Sequence, residues 1–260
     1  MAYDFEHVTL EISDEIATIT LNRPHRLNAF NRPMAHEFED IWNVIRDDPA
    51  VRAVVLQSSG DRAFSSGLDT RDGGWLEEPS IFGKIDPSEY LCPKTCNMWK
   101  PFIVAIHGMF AAGAFYWLNE ADIVICSEDA TFFEPHLTYG MVCALEPIGL
   151  IGRIGLGEIL RMVLMGNDER ISAETALRIG LVSEVVPNDE LRARARAIAA
   201  KITEKPASAV EGSLKAIWRA LDKTRSAALS DALNYCLMGN DVGKAELEQR
   251  PLEKTPWKLR

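Results

Sequence analysis

The chain has 260 residues, 47% of them apolar and 25% charged, with 28 Lys and Arg against 38 Asp and Glu for a net charge of −10. These proportions suit a folded α/β protein that buries roughly 70–75% of its unfolded surface without staples. The acidic balance argues against a nucleic-acid partner, which wants a basic face. No apolar run approaches the roughly 20 residues of a membrane span.

The start, MAYDFEHVTLEI, has no basic region followed by an apolar run and does not read as a signal peptide. Five cysteines (Cys92, Cys96, Cys126, Cys143, Cys236) have no framework spacing. The expectation is reduced thiols in a cytoplasmic protein. Cys92 and Cys96 lack a second ligand pair nearby, so no metal is expected.

Residues 7–13 and 15–21 alternate and predict a hairpin around Asp14, with Val8, Leu10 and Ile12 on one face. Asn31 and Pro33 open a helix over 32–47, with Phe38, Ile41, Trp42 and Ile45 at helical spacing. Val51–Gln57 reads as a buried strand running into a turn at Ser58–Asp61. Residues 70–99 are irregular and rich in Gly, Pro and Trp, which usually marks a functional segment; Trp75, Tyr90 and Trp99 are candidates for lining a pocket there. Phe102–Ile106 and Ile123–Cys126 read as further buried strands, separated by small residues and a helix to about Glu120. Strands joined in this way imply parallel crossovers. Beyond Pro187 the pattern is helical: Glu190–Lys201, Ser208–Leu221 and Ser226–Met238 are amphipathic, and Gly239 predicts a stop. Residues 1–200 are read as an α/β core and 201–260 as a helical appendage.

Two backbone features carry chemistry. Ala63–Asp69 (AFSSGLD) follows a buried strand, and His107–Ala114 (HGMFAAGA) ends one and opens a helix. Small residues allow close approach of backbone to ligand, and a helix start offers unpaired N–H groups. Two such groups converging on one point make an oxyanion hole. Taken singly, each also reads as a tight turn in an α/β sheet.

In order along the chain, Thr20–Pro24, Leu27–Phe30, Ala63–Asp69, Lys100–Gly108, Ala121–Ile123, Phe133–Pro135 and Ala173–Val185 resemble the crotonase (enoyl-CoA hydratase/isomerase) superfamily over nearly the whole sequence. The resemblance implies a crotonase-like ββα spiral core with a C-terminal helical trimerisation region, assembled as a homotrimer or hexamer. It implies an acyl-CoA as substrate and no separate cofactor. By motif position the oxyanion donors are the N–H groups of Leu68 and Gly113. Ser66 falls where the backbone meets the adenine, and His25 and Arg26 where the CoA phosphates are contacted, though those two also read as ordinary exposed loop residues. Asp69, beside the oxyanion donor, is a substrate-binding candidate or else a structural carboxylate bonding the loop.

The chain departs from the family's hydratase pattern of two glutamates. Three residues after Gly113 stands Tyr116, and after Phe133-Glu134-Pro135 stands His136. Glu120 and Glu134 are not expected to substitute. Glu146, in VCALEPIGL, is the better candidate carboxylate. His136 is a competent base near neutral pH, or else a structural hydrogen-bonding residue. Tyr116 is a donor to substrate or water, or else core packing. The leading expectation is an acyl-CoA enzyme that stabilises a thioester enolate. The alternatives are a β-diketone C–C or thioester hydrolase of the same fold, and a decayed CoA-binding protein.

Overall fold

The computed structural model describes residues 5–72, 86–252, 257 and 259. The expected hairpin forms from β1 (Val8–Ser13) and β2 (Ile16–Leu21), antiparallel from Val8↔Leu21 to Ser13↔Ile16. Asp14 (φ 51°) and Glu15 (φ 64°) are its two turn residues, both left-handed as the twist of a two-residue hairpin demands. Helix α1 (Arg32–Asp47) starts where predicted: Asn31 accepts the Met34 N–H at 3.1 Å and Pro33 sits in the first turn.

Strand β3 (Ala53–Ser58) then enters the main sheet. It is followed by β4 (Ala63–Ser65), β5 (Phe102–Ile106), β6 (Met109–Ala111) and helix α2 (Phe115–Asn119). Next come β7 (Ile123–Ser127), β8 (Thr131–Phe133), α3 (Leu145–Gly149), α4 (Leu156–Met165) and β9 (Ile171–Ser172). Helix α5 (Ala173–Ile179) and β10 (Glu184–Val186) complete the mixed part. The main sheet has the order β1-β2-β3-β5-β7-β10, and every pair from β2 onward is parallel. Ile19, Leu21, Val54, Leu56, Val104 and Ile106 face α1 through Phe38, Ile41 and Trp42. Ile16, Ala53, Val55, Ile103 and Ala105 face the other way. Both faces are therefore apolar, and the strands read as continuous hydrophobic runs rather than alternations.

A second sheet, β4-β6-β8-β9, was not expected from the sequence. Its strands are two or three residues long, too short to show a period. Phe64, Phe110 and Phe132 from three of them stack at centroid distances of 5.3 and 5.6 Å and join the core on the α1 side. The motif at 107–114 therefore runs through a strand of this sheet before the chain turns helical.

The last part is helical as predicted: α6 (Leu191–Thr203), α7 (Ala207–Ala220) and α8 (Arg225–Gln249). Helix α6 lays Leu191, Ala195 and Ala199 on the second face of the main sheet. Gly239 does not stop α8, which runs ten residues beyond it. A helical glycine costs about 1 kcal/mol relative to alanine but does not break the hydrogen-bond ladder. At Gly243 a Cβ would stand only 3.2 Å from that of Ala209, so glycine lets α7 and α8 approach. Asp122 latches this region to the core: it accepts Trp218 Nε1 at 2.6 Å, the Phe102 N–H at 2.7 Å and Lys94 Nζ at 3.0 Å. Among the described residues no helix is long and apolar enough to cross a membrane.

Candidate active site

The site is assembled on two loops that the sequence fixes against each other. Asn28, itself left-handed (φ 50°), accepts the Arg23 N–H at 2.9 Å and donates to the carbonyls of Ser59 (2.8 Å) and Ala63 (3.1 Å). Ser65 Oγ donates to Asn28 O at 2.8 Å and accepts the Gly67 N–H at 3.1 Å. A bridge pairs Phe30 with Leu68 through Phe30 N–H to Gly67 O and Asp69 N–H to Phe30 O, both within 2.9 Å. The N–H of Leu68 takes no part in that bridge.

Close packing brings the second loop up to the first. Gly67 has φ 88°, and a Cβ there would stand 2.7 Å from Ala112 Cβ and 2.8 Å from Gly113 N. At Gly113 a Cβ would meet the Phe30 ring at 2.6 Å. Ala112 is held left-handed (φ 51°) at the tip between them; such strain is typical of turns that present backbone to a ligand. The Leu68 and Gly113 positions thus meet at one edge of a cavity of about 1460 Å³.

That cavity is lined by Ser66, Leu68, Gly113, Tyr116, His136 and Glu146, six of the residues singled out in the sequence. His25 and Arg26 lie outside its lining, exposed on the turn at 24–26. Asp69 also stands outside it: Arg23 binds its Oδ2 at 3.1 Å and the Arg71 N–H its Oδ1 at 3.2 Å. Tyr90 and Trp99 do not reach the cavity. Tyr90 packs on α1, its carbonyl accepting Trp42 Nε1 at 2.9 Å, and Trp99 lies under the cations of Lys215 and Arg219. Trp75 lies outside the described residues. Glu120 is occupied elsewhere, accepting Thr95 Oγ1 at 2.9 Å.

Two carboxylates set aside or unnoticed in the sequence matter here. Glu134 is fully buried and binds His136 Nδ1, while also accepting the His136 N–H at 3.2 Å. Pro135, in the helical region (φ −85°, ψ −8°), turns the chain so that side chains two apart meet. The imidazole is thereby held as in a carboxylate–histidine dyad, with Nε2 at 3.9 Å from Glu146 Oε1. Asp86 faces the same cavity and accepts the Tyr116 hydroxyl at 2.8 Å. It lies in the irregular stretch, where no periodicity draws attention to it. Helix α3 carries Glu146, and Asn119 Nδ2 of α2 ties it in by donating to Glu146 O at 2.9 Å.

The electrostatics follow from these contacts. The hydrogen bond that His136 donates to Glu134 raises its pKa, against a smaller opposing effect of burial. Burial raises the Glu146 pKa, and the charge of Glu134 adds to it. Each shift favours the protonated form, so a strengthened base stands beside a weakened acid. Burial, then the Asp86 hydrogen bond, raises the Tyr116 pKa and keeps the phenol neutral. Cys143, between His136 and Glu146 in the chain, brings Sγ within 4.8 Å of ligand-type atoms of Glu134, His136 and Glu146. Burial raises the pKa of its thiol, as do both carboxylates. Cys92 and Cys96 instead point at backbone carbonyls, 3.7–3.9 Å away.

Comparisons with known proteins bear on the family and the fold. A sequence model of the family described as enoyl-CoA hydratase/isomerase matches residues 11–250. An (E)-benzylidenesuccinyl-CoA hydratase of Thauera aromatica is 32% identical over 209 residues, covering 80% of this chain and 81% of that protein. A short-chain-enoyl-CoA hydratase of Clostridium acetobutylicum is 30% identical, covering 96% and 98%. A crystal structure of an enoyl-CoA hydratase/isomerase from Mycobacterium paratuberculosis superimposes with a TM-score of 0.86 at 32% identity, covering 99% of this chain and 100% of that one. The chain belongs to the enoyl-CoA hydratase/isomerase family, within the crotonase superfamily.

Proposed function

We propose that the protein hydrates or isomerises an enoyl-CoA thioester. The thioester oxygen is held between the N–H groups of Leu68 and Gly113, and His136 and Glu146 move protons at the acyl carbons. The carrying observation is that all four positions line one cavity, with the imidazole backed by a buried carboxylate. Charge that develops on the thioester oxygen meets two backbone donors already in place, so nothing has to reorganise as the enolate forms. His136, strengthened by Glu134, takes a proton from substrate or water, and Glu146 returns one. Tyr116 donates to Asp86 and so turns an oxygen lone pair toward the cavity, where it accepts a hydrogen bond from a substrate hydroxyl or a water. Ser66 lies beside the adenosine end, and His25 and Arg26 meet the CoA phosphates.

The test is turnover of a panel of enoyl-CoAs from crotonyl-CoA upward. Hydration or double-bond migration of at least one is the expected result. Cleavage of a free β-diketone without any CoA affinity would replace this reading with a C–C hydrolase, and tight CoA binding without turnover would replace it with a binding protein.

We also propose a homotrimer or a hexamer of two trimers. Leu156, Leu160 and Leu164 on α4, and Leu229, Leu233 and Leu237 on α8, form exposed apolar rows at four-residue spacing. Rows of this kind mark surfaces that other chains cover. Light scattering should give three or six times the 29.0 kDa chain mass; a monomer would sink the idea.

A further inference from the structure

Cys143 has no part in the proton transfers above, yet it completes a set of ligand-type groups. One donor atom each from Glu134, His136, Cys143 and Glu146 lies within 4.8 Å of the other three. Around a single zinc ion, with bonds of about 2.0–2.3 Å, tetrahedral donors stand about 3.3–3.8 Å apart. The set therefore needs closure by about an ångström. His136 and Cys143, on the turn and loop between β8 and α3, are only half-buried and not packed into the core.

A second observation points the same way. Glu134 has no exposed surface, and among the described residues its Oε2 has no partner at hydrogen-bond distance. A buried carboxylate oxygen left unbonded is costly, and a cation would satisfy it. Magnesium and calcium favour all-oxygen shells, whereas imidazole and thiolate beside carboxylates suit zinc.

We propose that Glu134, His136, Cys143 and Glu146 bind one divalent cation of zinc's class, and that the bound ion inhibits the enzyme. Binding displaces to solvent the Cys143 thiol proton and any proton on the ligating atoms of His136 and Glu146, and the thiolate, neutral imidazole and carboxylates become ligands. The ion then holds the groups assigned to proton transfer. The inhibitory half rests on the roles proposed for His136 and Glu146; the cation site does not.

The experiment titrates the chelator-treated full-length protein with Zn²⁺ and with Co²⁺. The expected result is one ion per chain, with a near-ultraviolet thiolate-to-cobalt absorption band. Turnover should be lost with the same midpoint as zinc binding and recovered on chelation. In Cys143→Ser the band should vanish and zinc should bind at least about tenfold more weakly, while metal-free turnover stays at the parent's level. Glu134→Gln should weaken zinc binding as well. Absence of stoichiometric binding, or equal binding by the parent, Cys143→Ser and Glu134→Gln, would overturn the site. Stoichiometric binding without inhibition would overturn the inhibitory half and the roles of His136 and Glu146, and leave the cation site standing.

Discussion

His136→Ala should lower kcat on an accepted enoyl-CoA by about 10²–10⁴-fold, the range for removing a general acid–base group. KM should change little, because the role proposed for the imidazole is proton transfer at the acyl carbons and not binding of the nucleotide. The alanine variant carries a second cost. It leaves the fully buried Glu134 without the imidazole it binds, and removing one member of a buried charged pair typically costs about 3–5 kcal/mol. His136→Gln is the cleaner variant, since an amide N–H can still reach Glu134. Both should be slow, and only the alanine form should show a marked fall in its denaturant midpoint. Parent-level kcat in His136→Gln would remove the histidine from the mechanism.

The second large effect is expected at Gly67, a residue that touches no substrate. Alanine there would place its Cβ 2.7 Å from Ala112 Cβ, 2.8 Å from Gly113 N and 3.0 Å from Ala111 O, at φ 88°. The two loops must separate, and the Leu68 and Gly113 donors separate with them. A loss of about 10²–10³ in kcat is expected, comparable to losing one oxyanion donor. Left-handed strain adds about 1–2 kcal/mol of instability. Gly180→Ala isolates that strain. Gly180 is also left-handed (φ 82°), at the C-terminus of α5, but its nearest neighbour would stand 3.8 Å away. Both variants should be destabilised, and only Gly67→Ala should be slow. Equal kcat values would show that the loops tolerate separation.

Much of this was readable before the fold was known, and the remainder has identifiable physical causes. Strands β3, β5 and β7 announced themselves as apolar runs because both faces of their sheet are covered, and β2 by the alternation of its hairpin. Helix α1 was marked by its cap and its period. The second sheet left no trace, because strands of two or three residues cannot display alternation and their phenylalanines pass for loop residues. Gly239 misled because a glycine signals a helix end only when the helix needs a left-handed residue there; in α8 it stays helical. The close packing of the turns at Gly67 and Gly113 was legible because it forces small residues onto those positions. The dyad was not: Glu134 was set aside as a site residue, yet Pro135 folds it back onto His136. The available signal was a glutamate placed directly after Phe132-Phe133 in a buried strand, which needs a partner. Asp86 had no such flag, lying in a stretch without periodicity.

The latch at Asp122 has a consequence for how the protein comes apart. One carboxylate there holds the N–H at the start of β5, the ammonium of Lys94 and the indole of Trp218. The strand that leads into the Gly113 turn, the segment behind Tyr116 and a helix of the C-terminal region thus share a single fastening. Release of α7 takes the indole from this carboxylate and weakens the fastening at the start of β5, the strand that leads into the Gly113 turn. A chain nicked near its C-terminus should lose catalytic competence before it loses its main sheet.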